Sequence, residues 1–234
     1  MSLRRMMAAL GLTSILVPPA LQAQSVVVDE GTFAITLAGK PAGRETFQIR
    51  RSGLGTDAVV LAQGHVQLDE PIGKVDLSTL LEAGLPNGVA TGYRLKVTGA
   101  ETSDLSLKLA GGIYVSLIRS NAGEEQREFL ARPGTHILEK EVAHQYYFLH
   151  EVAGGARTPI IEPRTHRAFE LTASAWTNEE LHLGANVVQA RRVTFTEGAG
   201  GKDARTVWYD RQGRVLKVEI PSLGYVAERQ DLVG

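Results

Sequence analysis

The chain has 234 residues, of which 43% are hydrophobic and 22% charged, with a formal charge of −1. That balance belongs to a globular chain and not to a disordered one. The absence of cysteine excludes disulfide scaffolds, thiol catalysis, thiolate zinc sites, iron–sulfur clusters and acylation as a lipoprotein, and near-neutrality without a basic run argues against nucleic acid and anionic membrane surfaces as partners.

Residues 1–23 read as a secretory signal peptide. Arg4 and Arg5 form a basic start, and Met6 to Val17 is apolar apart from Thr13 and Ser14. Pro18 and Pro19 end the stretch. Ala20-Leu21-Gln22-Ala23 lies close to the small-x-small rule, so cleavage is expected after Ala23. The paired arginines also suit twin-arginine export, although their neighbours fit it poorly. The apolar run is shorter than the ~20 residues that span a bilayer, and no later segment approaches that length. Cleavage removes Arg4 and Arg5, takes the charge from −1 to −3, and leaves no transmembrane segment. The expected location is the periplasm or the medium.

The remainder, 24–234, reads as a single β domain. Thr32 to Leu37 and Arg44 to Arg51 alternate apolar and polar residues about a turn at Gly39 to Gly43, the pattern of a hairpin. Gly53-Leu54-Gly55-Thr56-Asp57-Ala58 matches a dinucleotide-binding string by letter. The β-branched, alternating Val59 to Leu68 that follows makes it a hairpin loop instead of the start of a nucleotide-binding helix. Further alternation runs through Asp76 to Ala83, Tyr93 to Val97, Leu105 to Leu109, Ile113 to Leu117 and Glu125 to Ala131. Leu85-Pro86-Asn87-Gly88 and Gly111-Gly112 are turns. One packed face and one wet face per strand is the habit of antiparallel sheets.

At Glu139 the period changes. Val142, Ala143, Tyr146 and Leu149 recur at helical spacing and Gly154-Gly155 supplies a stop, which predicts a helix over 139–153. Strand period would instead group His144, Tyr146, Phe148 and His150. Pro159 to Pro163 reads as an extended connection. Strands return at His166 to Trp176, Glu180 to Leu183, Val187 to Thr196, Arg205 to Asp210, Val215 to Ile220 and Tyr225 to Glu228. The expected fold is all-β: an open antiparallel half-barrel of about twelve strands with a covering helix near 139–153.

No nucleophile elbow, zinc-protease helix or phosphate loop is present. The six histidines are scattered, and His144 and His150 stand six apart, which does not bring them together on one helical face. No metal site and no cofactor are therefore expected. No acidic pair can be assigned from spacing, and no catalytic residue is assigned.

The most distinctive string is Val207-Trp208-Tyr209-Asp210-Arg211-Gln212-Gly213-Arg214-Val215-Leu216-Lys217-Val218-Glu219-Ile220-Pro221. It reads as a hairpin turning at Asp210 to Gly213. Val207 and Tyr209 share one face and Trp208 takes the other; Leu216, Val218 and Ile220 share a face on the return strand. With the closing Gly224, Tyr225, Ala227 and Arg229, and the opening Gly31 to Phe47, this hairpin resembles a group of poorly characterised exported bacterial β proteins. The resemblance covers nearly all of 26–230. It implies an open antiparallel half-barrel related in outline to the periplasmic lipoprotein carriers. Such domains occur alone or ahead of α/β-hydrolase domains, and no catalytic residues carry over.

Two functions are expected to compete. The first is a non-catalytic binding protein for an apolar or lipid-like molecule in a concave interior, with Tyr146, Phe148, Trp176 and Trp208 as candidate ligand-binding residues. The second is an envelope interaction protein that docks a partner through its sheet surface.

Overall fold

The computed structural model of the chain describes residues 25–231, except 70–72, 86–87, 100–101 and 199–202. The expected signal peptide and the turn residues Pro86 and Asn87 lie outside the described residues.

Among the described residues sixteen strands form one sheet. The first eight make an uninterrupted meander: β1 (Val26–Leu37), β2 (Lys40–Ser52), β3 (Val59–Leu68), β4 (Val75–Gly84), β5 (Val89–Gly99), β6 (Ser103–Ala110), β7 (Ile113–Ser120) and β8 (Gly123–Leu130). The chain then crosses the concave side, contributing β9 (His136–Ile137) and a short 3-10 helix at His144–Leu149. It continues as β10 (Arg157–Glu162), β11 (Arg167–Ala173), β12 (Thr177–Leu183), β13 (Asn186–Glu197), β14 (Arg205–Tyr209), β15 (Val215–Ile220) and β16 (Tyr225–Arg229). Strand order is β8-β7-β6-β5-β4-β3-β2-β1-β16-β15-β14-β13-β11-β10-β9, with β12 folded back onto β13. Every pairing among the described residues is antiparallel except the parallel β9–β10. The two halves meet where Phe33 to Leu37 pair with Arg229 to Tyr225. β9 lies against β5, and the 163–165 turn against β6. The sheet therefore curls toward itself, and no ladder joins β8 to β9 among the described residues.

Turn chemistry explains the meander. Ala38 and Gly39 have φ of 49° and 75°, the paired positive values that match strand twist in a two-residue hairpin. The first turn is thus tighter than Gly39 to Gly43. Gly111 and Gly112, with φ of 56° and 89°, form the same kind of turn. Gly53 to Ala58 is a hairpin loop with one 3-10 turn at Gly55–Asp57.

The strand count exceeds the expected twelve because the alternating segments themselves form fourteen strands and the crossing segment adds β9 and β10. Pro159 in β10 is tolerated because the short ladder to β9 uses only Ile160 and Ile161. The expected helix over 139–153 is cut to six residues of 3-10 helix at His144–Leu149. Its apolar pattern is real: Val142, Ala143, Tyr146 and Leu149 are all buried. What shortens it is capture of its backbone donors. The Glu45 carboxylate on β2 accepts the N–H groups of Ala143 (2.7 Å) and His144 (3.0 Å). The Gln145 side chain accepts that of Glu139 (2.6 Å). Glu141 also takes a left-handed φ of 60°, which a continuous helix cannot hold. The segment fills the interior instead of covering it.

The Val207–Pro221 hairpin is present with Asp210 in its turn. Its Oδ1 accepts the N–H of Gln212 (2.8 Å) and of Arg214 (2.9 Å). Val207 and Tyr209 enter the main core and Trp208 faces the other side, as their alternation predicts. Leu216 departs from expectation. A bulge between Trp208 and Tyr209 sets Tyr209 opposite Val215, so Val215 joins the main core. Leu216 joins Leu181, Leu183, Ala190 and Trp208 in a small second cluster under β12.

Candidate functional site

The concave face is shaped by what the crossing segment does there. Its central pin is Glu45, fully buried on β2 in register with Phe47 and Ile49. Besides the two backbone donors, its Oε1 lies 2.5 Å from His144 Nδ1. The His144 ring is also fully buried and stacks on Phe47 at 5.7 Å. Gly64 on β3 makes room for it, since a Cβ there would stand 2.3 Å from His144 Cε1. The phenol of Tyr209 donates to the Tyr146 carbonyl (2.8 Å), and the Trp176 indole N–H donates to the Val152 carbonyl (2.9 Å). Around this segment Tyr93, Tyr114, Tyr209, Tyr225, Phe33 and Phe195 are fully buried. The half-barrel is consequently packed along most of its length.

Two clefts remain beside the 3-10 helix. The first, of about 290 Å³, is lined by Val60, Leu85, Gly88, His136, Tyr147, Phe148, His150, Glu151 and Val152. Tyr147 and Phe148 meet edge to face at 5.4 Å, giving an aromatic wall. His136 sits in this wall, and its Nδ1 is buried without a partner. Burial lowers its pKa to about 4, so the ring is neutral at pH 7 and can offer one hydrogen bond.

The second cleft, of about 200 Å³, is polar. Its walls include Leu138, Glu139, Lys140, Tyr146, Glu162, Arg167, Asp203, Arg205, Ile220 and Leu223. Glu139 Oε1 accepts the Arg164 N–H (2.9 Å), and the Arg164 guanidinium stands 3.4 Å from Oε2. Burial nevertheless pushes the Glu139 carboxyl up to about 7 against the pull of Arg164. Burial also pushes the Tyr146 phenol up to about 12, with the charge of Arg205 acting the other way.

The four residues singled out from sequence do not converge. Phe148 lines the aromatic cleft. Tyr146 is 2% exposed and borders the polar one. Trp176 packs on Tyr209 at 5.5 Å, with the Arg191 guanidinium 4.4 Å from its ring. Trp208 belongs to the second cluster on the opposite side of the sheet, its N–H on Glu179 (2.6 Å). Strand alternation sends Trp208 away from Val207 and Tyr209, so one hairpin cannot aim all its aromatics into one cavity. No group of three metal-ligating side chains gathers among the described residues, and none of the described helices is long and apolar enough to cross a membrane.

Sequence reasoning passed over Glu45, Glu139 and Arg205. A usable signal existed for two of them. Glu45 shares strand parity with Phe47 and Ile49, and Arg205 with Val207 and Tyr209. An ionisable residue on the apolar parity of a strand points into the protein.

No family model and no curated protein matches the chain. Two solved structures are similar to it over most of its length. One is a β-barrel-like protein of the domain of unknown function DUF1849 from Brucella abortus, 10% identical with a TM-score of 0.47, covering 90% of this chain and 99% of that one. The other is a DUF1089 family protein from Pseudomonas aeruginosa, 15% identical with a TM-score of 0.43, covering 92% and 98%.

Proposed function

We propose that the chain is an exported, non-catalytic binding protein for a compact, largely apolar molecule held in the cleft beside Phe148. The observation that carries this reading is the cleft's composition: an edge-to-face aromatic pair with Val60, Leu85 and Val152, and one buried neutral imidazole to orient a polar group. Apolar walls with a few placed polar groups are the usual make-up of a small-molecule site. A volume of about 290 Å³ sits at the bottom of the roughly 300–1,000 Å³ range of such sites. It suits a small ring or short chain better than a full lipid. Location in the periplasm or the medium follows from the reading of residues 1–23.

Docking through the sheet surface has less behind it. The free edge β8 presents Glu124, Glu125, Gln126, Arg127 and Glu128 to solvent, and charges of this kind discourage edge-to-edge pairing. The most exposed large apolar residues, Leu54, Leu130 and Val26, belong to a loop and two different strands, and Val26 to Val28 form one short run at the start of β1.

Native mass spectrometry of protein purified from its own envelope tests the proposal. A co-purifying small apolar molecule is expected, and Phe148→Ala should weaken its retention about tenfold. Recovery of the protein only from the cytoplasm would contradict the export half. Ligand-free protein from the envelope would contradict the binding half.

A further inference from the structure

Arg205 opens β14 on its inward face and is 7% exposed. Buried guanidinium groups are ordinarily neutralised, and the other buried arginine follows that rule. Arg229 holds Asp29 through both terminal nitrogens (3.0 and 2.7 Å), Asp231 (3.1 Å) and the Glu30 carbonyl (2.6 Å). Arg164, partly exposed, is met by Glu139 and Glu141. Arg205 differs from both. Among the described residues no carboxylate lies within ion-pair distance of it, and its Nη1 is buried without a hydrogen-bond partner. Its close neighbour is the face of Phe169, 4.9 Å from the guanidinium carbon, which solvates a cation without neutralising it. Arg205 is among the residues that line the polar cleft.

We infer that this cleft binds a short-chain carboxylic acid, with its carboxylate on Arg205. A guanidinium presents two parallel donors that match a carboxylate. Lys140 and Arg167 add positive charge at the same cleft. Each already has an acid of its own, Glu162 at 3.9 Å and Glu197 at 2.5 Å, so Arg205 is the cation left to be matched. Leu138, Ile220 and Leu223 give the carbon skeleton an apolar wall. The acids lining the cleft set the charge the site accepts. Glu162 is engaged by the Thr165 hydroxyl and Lys140 and Glu139 by Arg164, while Asp203 is half-buried nearby. Three carboxyl groups repel a phosphate dianion more than a carboxylate monoanion. This site is separate from the aromatic cleft, and neither proposal requires the other.

The test is a titration of the whole mature protein with butyrate, inorganic phosphate and sodium chloride at matched ionic strength, following the Arg205 Nε–H resonance by NMR. Butyrate is expected to move that resonance saturably and chloride is not. Arg205→Lys should weaken butyrate at least tenfold, because the ammonium keeps the charge but loses the two-pronged geometry. The inference fails if butyrate and chloride produce the same shift in the wild-type protein, a reading that needs no variant to fold. It also fails if Arg205→Lys binds butyrate as tightly as the wild type. Tighter binding of phosphate than of butyrate would overturn the assignment to a carboxylate.

Discussion

His136 and Glu139 stand three positions apart in the crossing segment, and burial disfavours the charged form of each, shifting their pKa values in opposite directions. Burial lowers the imidazole to about 4 from 6.5 and raises the carboxyl to about 7 from 4.5. Linkage fixes the signs. The neutral imidazole contributes stability that is present above pH 6.5 and is lost as pH falls toward 4. The protonated carboxyl contributes stability that is present below pH 4.5 and is lost as pH rises through 7. The two slopes oppose each other between about pH 4.5 and 6.5, and each is on the order of 3 kcal/mol over its full range. Calorimetric melting should therefore give a flat profile for the wild type across pH 4.5–6.5 and a decline from there to pH 7. Glu139→Gln should melt higher as pH rises to 6.5, and His136→Gln should melt lower as pH rises to 7. Superimposable profiles for the three proteins would refute this balance. The groups around Glu139 that bear on its titration are Arg164, Glu162 and Glu141. A steric prediction sits at the same scale. Gly64→Ala would drive a methyl group to 2.3 Å from His144 Cε1, in a spot closed by a strand on one side and Phe47 on the other. A loss of about 1–3 kcal/mol in urea unfolding is expected.

The crossing segment is the element least readable in advance. The strands announce themselves by alternation, and the buried parity read from Phe33, Phe47, Leu95 and Val207 is the parity the structure uses. The segment carries a helical spacing that is also real. What redirects it is a carboxylate roughly a hundred positions earlier, at Glu45, and no local pattern encodes that. The Trp208–Tyr209 bulge is similar: the letters are an ordinary hairpin, and the extra residue shows only when the ladders are matched across it. Phe148 could be singled out because aromatic residues are conspicuous. The strand parity of Arg205 places it inside but names no cleft, and Glu139 carries no such signal, because a cleft walled by β10, β11, β14 and residues 138–140 exists only after the chain has closed around it. If Glu45 holds the segment, Glu45→Ala should release it. Amide hydrogen exchange at Ala143 and His144 should accelerate by at least a hundredfold while β3 to β5 keep their protection. Equal acceleration throughout would mean that the carboxylate supports the whole sheet instead of this element.

At the scale of the molecule, two halves of one sheet are joined along a single seam between β1 and β16. Beside that seam the fully enclosed pair of Arg229 and Asp29 binds residues 200 positions apart. Removing one partner of a buried ion pair typically costs about 3–5 kcal/mol because the other charge is left stranded. Arg229→Ala should lower stability by that amount in chemical denaturation, and more than Glu124→Ala on the solvated edge β8, where an exposed pair contributes at most about 1 kcal/mol. Comparable losses at the two places would show that the seam has no special weight. Contacts this distant in sequence also set a pace, since sheets dominated by non-local pairing fold in milliseconds to seconds.

That seam has a consequence for how the protein is made. β1 ends at Leu37, and β16, its other neighbour among the described residues, begins only at Tyr225. At roughly 5–20 residues per second, the ribosome leaves β1 half-partnered for about 10–40 s. During that interval its bare backbone is open to any passing strand, including one from a sister chain. The second edge of β1 closes only when β16 arrives.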